Sequence, residues 1–273
     1  MIDYQKAYKD WLLGRRIIRE LSIVYNVSYT KITKEFDKFD VVEGIQEDAL
    51  QDGVRSINLM VDATFFGREY GFLVFHDTNK VIYLKEIRTE SVKHFRDGIR
   101  AIKLAGYTIN SLTVDGRRGY INNARKILGN IPIQMCLFHQ KAVVRRYITD
   151  RPRNQCGMDL KEVMYLLCKP EYQQEYIDKF YLLKDKYRGF LHERNEFGQY
   201  KHLALRSAFK SIDSNMLYLF TYTDFKKLNI PPTINHLEGL FGHLKERLKI
   251  HRGLTKNRKK RAIKFLLKNL GKN

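Results

Sequence analysis

Apolar and polar positions follow a helical rhythm through the first part of the chain, residues 4–38, which contains no proline. Apolar side chains recur with the three- and four-residue spacing of a buried helix face in two runs, at Leu21, Val24 and Tyr25 and then at Ile32 and Phe36. Between them, Asn26 tolerates a left-handed turn and Ser28 is a good helix N-cap. A short helix, a tight turn and a capped second helix predict a helix-turn-helix.

The exposed face of the second predicted helix would carry side chains that reach DNA bases or phosphates. These candidate DNA contacts are Tyr29, Thr30, Thr33 and Lys34. The alternative is a plain helical hairpin that packs against the main domain.

The pattern changes to that of β-strands after residue 55. Residues 41–55 are acidic and weakly patterned, which predicts a linker. Three runs rich in β-branched and aromatic residues follow at 57–67, 70–78 and 80–89, with glycine and other turn-forming residues between them. They predict three consecutive strands in an antiparallel meander.

Helices and strands alternate after this meander. The pattern predicts helices at about 91–106, 119–128 and 140–149, and strands at 111–116 and 131–139. Three meandering strands followed by this alternation are typical of a ribonuclease-H-like domain, an α/β fold with a mixed sheet whose first three strands are antiparallel. Other α/β folds share parts of the order.

The rest of the chain is helical in pattern and ends in a basic segment. Apolar residues recur at helical spacing up to about residue 225, which predicts an all-helical insertion. The final core helix begins near Thr233. The predicted organisation is a helix-turn-helix domain at 1–40, a linker at 41–55, the first part of a catalytic core at 56–152, the helical insertion at 153–230, and the final core helix with a basic tail at 231–273.

The charge of the chain indicates a polyanionic partner. Of 273 residues, 50 are Lys or Arg and 30 are Asp or Glu, which gives a formal net charge of +20. Such a surplus favours nucleic acid first and an anionic membrane surface second. The alternative is a basic but otherwise ordinary protein.

The sequence predicts neither a membrane span nor secretion. It contains no run of about 18 apolar residues, and its first residues lack the apolar segment of a signal peptide. The three cysteines form no CxxC pair and suit a reducing, intracellular compartment.

Two aspartates occupy positions where a carboxylate is costly unless it is paired or bound to metal. Asp62 lies inside the apolar run 59–63, and Asp115 ends the predicted strand that starts at Ser111. Functional groups cluster at strand ends in open α/β sheets, and a divalent cation removes the repulsion between neighbouring carboxylates. Taken singly, each aspartate is also a common turn or capping residue.

A third carboxylate, Glu238, borders the apolar stripe of the predicted final helix, where it can point into the same cleft. The stripe consists of Ile234, Leu237, Phe241, Leu244 and Leu248. The alternative for Glu238 is a solvated position on the helix surface. Three such carboxylates could bind two Mg²⁺ or Mn²⁺ ions, which clamp an in-line displacement at phosphorus.

Four segments together resemble bacterial insertion-sequence transposases related to the Mutator-like elements. They are VDATFFG, LTVDGRRGY, the C-x2-H pair of Cys136 and His139, and TINHLEGLFGHLKERLKIHRGL. The resemblance covers nearly the whole chain. Its most specific part is N-x-L-E-G-x-F followed by K-x-R-L-x-x-H-R-G.

This resemblance implies a ribonuclease-H-like core in which Asp62, Asp115 and Glu238 are the catalytic, metal-binding triad. The implied reaction is hydrolysis at the ends of the element, followed by attack of the freed 3′ hydroxyl on target DNA. Cys136 and His139 would be accessory residues that are structural or shape the cleft. Some members of the group carry a cysteine-rich zinc ribbon before the helix-turn-helix.

The implied partners are duplex DNA, as terminal repeats and as target, and further copies of the chain in a dimer or larger assembly. The implied location is the prokaryotic cytoplasm, in association with the nucleoid. No membrane partner is expected.

Lysine and arginine far outnumber the single acid, Glu246, from residue 239 to the end. The residues nearest to Glu238 could hold the DNA backbone beside the metals, and they are Lys245, Arg247, Lys249 and Arg252. The run continues with Lys256, Arg258, Lys259, Lys260 and Arg261. The alternative is a solvated basic tail whose last turns pack as an amphipathic helix.

An active DNA transposase is therefore the expected function. The alternative is a catalytically silent or domesticated descendant that binds DNA without cutting it. A third hypothesis is a nuclease or RNA-processing enzyme on the same fold, because a fold does not settle the substrate. The predicted helix-turn-helix favours duplex DNA.

Overall fold

A computed structural model of the chain describes residues 2–46 and 56–270. Its contacts divide these residues into two compact units. Unit 1 combines the described residues of 1–108 with those of 235–273, and unit 2 is the continuous segment 109–234. This division into units does not test the predicted domain boundaries, which stay predictions.

Unit 1 begins with three short helices, α1 (Tyr4–Leu12), α2 (Ile18–Val24) and α3 (Tyr29–Phe36). Asn26 adopts a positive φ of 49°, so the left-handed turn predicted between the last two helices is present. The side chain of Ser28 accepts a hydrogen bond from a backbone N–H of the first turn of α3, as expected of an N-cap.

These three helices enclose a small aromatic core. Tyr8 and Trp11 of α1 pack against Phe36 of α3, with ring centroids 5.2 and 5.1 Å apart respectively. Leu21 and Ile32, from the two predicted apolar runs, are fully buried. Short helices gain most of their stability from such packing, because in isolation they are marginal in water.

Four strands follow in unit 1: β1 (Gly44–Ile45), β2 (Ser56–Phe66), β3 (Tyr70–His76) and β4 (Val81–Ile87). They are ordered β1-β4-β3-β2, and every adjacent pair is antiparallel. The predicted meander of three strands is therefore confirmed as β2, β3 and β4.

Strand β1 lies in the segment that the sequence predicts as a linker. Gly44 is opposite Leu84 and Ile45 is opposite Tyr83, so β1 extends the sheet at the β4 edge. Residues 47–55 of the predicted linker lie outside the described residues.

Helices cover both faces of this part of the sheet. Helix α4 (Val92–Leu104) begins after the predicted cap Ser91 and packs on β3 and β4, where Gly98 meets the ring of Phe75. Two C-terminal helices, which follow those of unit 2 in the chain, contact strands β2 and β4. All seven residues of β3 are buried, as expected of a strand covered on both faces, because successive side chains of a strand point to opposite faces.

Unit 2 holds most of β5 (Thr108–Val114), then α5 (Arg118–Leu128), β6 (Ile133–Met135) and α6 (Leu137–Ile148). Strands β5 and β6 are parallel. The predicted strand 131–139 is therefore too long at its end. The N–H of Leu137 donates to the carbonyl of Pro232 and not to a strand, and the helix begins there.

The remaining elements of unit 2 are helices and 3₁₀ turns. They are α7 (Gln155–Met164), α8 (Gln173–Lys186), α9 (Arg188–His192), α10 (Leu203–Leu219), α11 (Thr221–Asp224) and 3₁₀ turns at Pro170–Tyr172 and Lys226–Leu228. A core that includes Tyr176, Phe180 and Phe209 holds them together. A single bridge joins Arg194 and Tyr200 between α9 and α10.

The final helices of the chain are α12 (Asn235–Ile250) and α13 (Lys256–Leu270), both in unit 1. Across the described ranges, the strand pairs of unit 1 are antiparallel and the pair in unit 2 is parallel, so the fold class is α/β as predicted. No helix within the described residues has the length and apolar character needed to cross a bilayer.

Candidate active site

Asp62 lies in the middle of β2, opposite Val74 of β3. It is half-buried, and the strand continues four residues beyond it to Phe66. The argument from strand ends therefore does not apply to Asp62. The backbone of Asp62 is held in place because β2 continues on both sides of it and pairs with β3.

The side chain of Asp62 shares a face of the sheet with His76. Met60 lies two residues before Asp62 and is directly opposite His76 in the antiparallel ladder. Directly opposite residues and residues two apart point to the same face. His76 is completely buried, and its Nδ1 is hydrogen-bonded to the carbonyl oxygen of Asp77.

Helix α12 lies on this face of unit 1. Leu237, Phe241 and Leu244 are buried, as the predicted apolar stripe requires, and the helix contacts β2. In its first turn, the ring of His236 lies 4.9 Å from the ring of His76, measured between centroids. The histidine pair therefore anchors the turn that also contains Glu238.

Asp62 and Glu238 come together within unit 1. Each offers a carboxylate oxygen as a metal ligand, and these two oxygens lie within 4.8 Å of each other. Two negative charges at that distance repel by roughly 3 kcal/mol if the effective dielectric constant is about 20. A hard divalent cation suits such a donor pair, because Mg²⁺ and Mn²⁺ prefer carboxylate oxygens.

Asp115 directly follows β5 in unit 2, as the sequence predicts. Its carboxylate accepts hydrogen bonds from the backbone N–H and the Nε of Arg117, at 3.1 and 2.9 Å. The intervening Gly116 has a φ of +85°, and a Cβ there would lie 2.5 Å from the side chain of Met135. Only glycine suits this tight turn, which holds Asp115 at the strand end.

His139 is also in unit 2, where it is half-buried in the first turn of α6. The sequence predicts it at a strand end, and the structure corrects this to a helix.

Cys136, the partner of His139 in the C-x2-H motif, is fully buried at the N-cap of α6. Its Sγ accepts a hydrogen bond from the backbone N–H of Ile234 at 3.3 Å. Cys136 therefore has a structural contact within unit 2, in agreement with the structural alternative for this residue.

Three of the four side chains of α3 that the sequence predicts as DNA contacts are exposed. Tyr29 is 52% exposed, and Thr30 and Lys34 are exposed. Thr33 is the exception, because it is buried at 7% exposure and its hydroxyl donates to the carbonyl of Tyr29. That local hydrogen bond satisfies the hydroxyl, which allows threonine to lie on the packed side of the helix.

The candidate phosphate contacts of α12 also divide. Lys245 and Arg252 are exposed, and Lys249 is exposed beside Glu246 in an ion pair of adjacent helical turns. Arg247, by contrast, donates to the carbonyl oxygens of Leu12 and Leu13 at the end of α1. Its prediction as a DNA contact is corrected, since these bonds satisfy unpaired carbonyls of a helix C-terminus.

Most of the predicted basic run in α13 forms ion pairs inside unit 1. Asp37 at the end of α3 pairs with both Arg258 and Arg261, and Glu86 of β4 pairs with Lys260. Further pairs are Lys256 with Glu69 and Lys264 with Asp40. The amphipathic alternative is the correct one for α13, whose residues Ile263, Leu266 and Leu267 are buried.

The Asp37 pair leaves a clear electrostatic signature. Hydrogen bonding by Arg258 is the main reason that the pKa of Asp37 lies below its ordinary value.

Burial lowers the pKa of Arg247, and the charge of Arg15 adds to this effect. Burial likewise lowers the pKa of His251, which packs against Trp11.

Comparison with known proteins gives no assignment at the level of sequence: neither family profiles nor curated protein sequences match the chain. Among solved structures, the Drosophila P element transposase strand transfer complex has a TM-score of 0.48 at 11% identity, covering 98% of this chain and 92% of that one. The simian T-cell lymphotropic virus intasome, in complex with PP2A regulatory subunit B56 gamma, has a TM-score of 0.25 at 12% identity, covering 59% and 68%. Both TM-scores are below 0.5, and neither similarity assigns a family.

Proposed function

We propose that the protein is a metal-dependent DNA transposase that cuts the ends of an insertion element and joins the 3′ hydroxyl to target DNA. The observation that carries this proposal is that a carboxylate oxygen of Asp62 lies within 4.8 Å of a carboxylate oxygen of Glu238. Asp62 lies in the VDATFFG motif and Glu238 in the N-x-L-E-G motif, two of the segments that carry the resemblance.

In this proposal Asp62, Asp115 and Glu238 hold two Mg²⁺ or Mn²⁺ ions, as the resemblance implies. When bound, such ions activate the attacking oxygen and stabilise the leaving oxygen of an in-line phosphoryl transfer. Asp115 would exchange its ion pair with Arg117 for this role. Arg117 is then released beside the site, where a guanidinium can bind a phosphate.

The DNA partner is proposed to contact two surfaces of unit 1. Tyr29, Thr30 and Lys34 on α3 supply the helix-turn-helix contact, and their exposure is what supports it. Lys245, Lys249 and Arg252 would hold the phosphate backbone near Glu238 through salt-sensitive contacts. Joining two element ends calls for at least a dimer on DNA, and mass measurement with and without end DNA tests that.

The test uses the full chain with labelled DNA from both flanks of its own gene. We expect nicking and strand transfer in Mg²⁺ or Mn²⁺, and none with a chelator. Glu238→Gln and Asp62→Asn each remove a ligand and should lower activity by at least about 100-fold. The matched control is Glu246→Gln, one acid further along the same helix, which should retain activity. Full activity in Glu238→Gln would show that the assignment is wrong.

The same assay separates the remaining hypotheses. A silent, DNA-binding descendant would bind the flanks in a salt-dependent manner. It would not cut them, whichever divalent cation is added. A nuclease or RNA-processing enzyme would cut matched RNA or unrelated DNA as well as the flanking sequences, without joining products.

A further inference from the structure

Unit 2 contains a turn that presents a phenylalanine to solvent. The segment 193–202 between α9 and α10, which we call the aromatic turn, reverses the chain and places Phe197 at its apex. The side chain of Phe197 is 77% exposed. An isolated apolar residue on a surface is ordinary, so its setting decides whether it has a role.

The apex is held by a dense set of hydrogen bonds. The side-chain oxygen of Asn195 accepts from the N–H groups of Phe197 and Gln199 at 3.0 and 2.9 Å. The backbone N–H of Asn195 donates to the carbonyl of Gln199 at 2.8 Å, and a bridge joins Arg194 to Tyr200. Phe197 is therefore presented in a fixed position, which lowers the entropic cost of binding through it.

The base of the turn is a stack of aromatic and cationic side chains. The ring of Tyr200 lies between two guanidinium groups, that of Arg194 at 4.0 Å and that of Arg206 at 3.6 Å from its centroid. These cation–π contacts, with hydrogen bonds from Arg194 to the carbonyl of Gly198 and from Arg206 to that of Leu191, hold the two arginines in place.

Arg206 also lines an adjacent cavity of about 450 Å³. Its walls combine aromatic and basic side chains, notably Tyr181, Arg188, Phe209 and Lys210. Four lining residues are Lys or Arg and two are Asp, so the cavity stays basic although Lys184 pairs with Asp213 and Arg188 with Asp185.

We propose that this surface binds an unpaired nucleotide of a DNA strand. Phe197 stacks on the exposed base, and Arg188 and Lys210 contact the phosphates that flank it. Flat aromatic rings beside cations are how proteins hold single strands, because every base has a stacking face and every linkage carries a negative charge.

The inference stands apart from the proposed metal centre, because it uses residues of unit 2 alone. The probes are a blunt DNA duplex and the same duplex with a short single-stranded overhang that contains the fluorescent base 2-aminopurine. Stacking on an aromatic ring quenches this base, so the full-length protein should quench the overhang. Divalent cations are omitted, so the readout is independent of cleavage.

Phe197→Ala should abolish the quenching and weaken binding to the overhang DNA by about ten-fold or more, while blunt-duplex binding stays within about two-fold. Phe197→Trp should restore both. Lys210→Gln should weaken overhang binding and reduce its salt dependence. The matched control is Leu217→Ala, which truncates an 85% exposed leucine on α10 outside the turn and should change nothing.

Wild-type overhang binding by Phe197→Ala, or equal losses on both probes, would overturn the proposal. A change in the mass of the DNA-free protein caused by Phe197→Ala would instead identify a contact between copies of the chain. Thermal unfolding of each variant checks folding, which an exposed residue should leave intact. A protein that quenches the overhang but never cuts DNA would retain this inference and lose the proposed function.

Discussion

Arg258 donates two hydrogen bonds to Asp37, from Nε to Oδ1 at 2.8 Å and from Nη2 to Oδ2 at 2.6 Å. Asp37 is the C-cap of α3, where a negative charge opposes the helix dipole. The forked pair, together with Arg261, neutralises that charge. It also joins the last helix of the chain to the helix proposed to contact DNA.

Breaking this pair should destabilise the protein. We expect Arg258→Ala to lower the free energy of unfolding by about 1–2 kcal/mol, because a bidentate charge-assisted pair is lost and Asp37 is left at a helix C-terminus. Chemical denaturation measures the change, and a double-mutant cycle with Asp37→Ala isolates the coupling. Lys179→Ala, which breaks an exposed pair with Glu175, should have almost no effect.

The same pair predicts a loss of stability in acid. The pKa of Asp37 is lower in the folded protein than in the unfolded chain, chiefly because Arg258 hydrogen-bonds to it. Its stabilising effect is therefore complete above the unfolded pKa of about 3.9, and it disappears as the pH falls through the folded value. Denaturation between about pH 5 and pH 2.5 should show a smaller acid dependence in Asp37→Asn than in the wild type. Equal slopes would contradict the prediction.

Divalent cations should stabilise the wild-type protein through Asp62 and Glu238. A ligand that binds only the folded state adds roughly 2.7 kcal/mol at one hundred times its dissociation constant. We expect Mg²⁺ or Mn²⁺ to raise the melting temperature of the wild type and to raise that of Asp62→Asn much less. Glu246→Gln should respond like the wild type. A full response in Asp62→Asn would place the cation elsewhere.

Gly98 should not tolerate alanine, although it lies inside helix α4. Alanine usually gains about 1 kcal/mol over glycine in a helix. Here the new Cβ would lie 2.4 Å from the ring of Phe75, and overpacking of this kind costs roughly 1–3 kcal/mol. Gly189 in α9 is the control, because no heavy atom of the described residues lies within 4 Å of its Cβ position. Denaturation should show Gly98→Ala destabilised and Gly189→Ala neutral or stabilised.

The three cysteines should differ in reactivity. Cys136 and Cys156 are buried, and burial raises the pKa of Cys156 to about 11, so little reactive thiolate forms there near neutral pH. Cys168 is exposed. A thiol reagent should modify one site rapidly in the native protein and all three after denaturation, and Cys168→Ser should remove the rapid phase. Rapid labelling of Cys156 would contradict the burial.

The strands of unit 1 were predictable because their patterning is strong. Runs such as 57–67 are long and rich in β-branched and aromatic residues, so local propensity and burial agree. Strand β1 was missed because two residues, Gly44 and Ile45, are too few to show a period. The early start of α6 was missed because a tertiary contact, Leu137 to Pro232, decides it.

The candidate site was predictable only in part. The motifs selected Asp62 and Glu238, and the structure adds the contact of His236 with His76. One signal was available, since His236 lies two residues before Glu238 in the same motif, but nothing in the sequence placed it against the buried His76. Register across the sheet supplies that information.

Counting charges misjudged the basic tail. Sequence shows that Arg258 is basic but not that Asp37, far away in the chain, lies opposite it. Arg247 and Thr33 were assigned to DNA for the same reason, because a polar side chain with an internal partner is indistinguishable in sequence from one that faces solvent. Fold topology decides which polar residues remain available.

The ring of Tyr8 packs edge-on against that of Phe265, with centroids 4.9 Å apart. A ribosome therefore delivers the first helix long before the helix on which it rests. At about 5–20 residues per second, the interval is roughly ten seconds to a minute. Unit 2 is continuous in the chain and can be completed during that delay, whereas Tyr8 can pack early against Phe36 but gains Phe265 only after helix α13 has been synthesised.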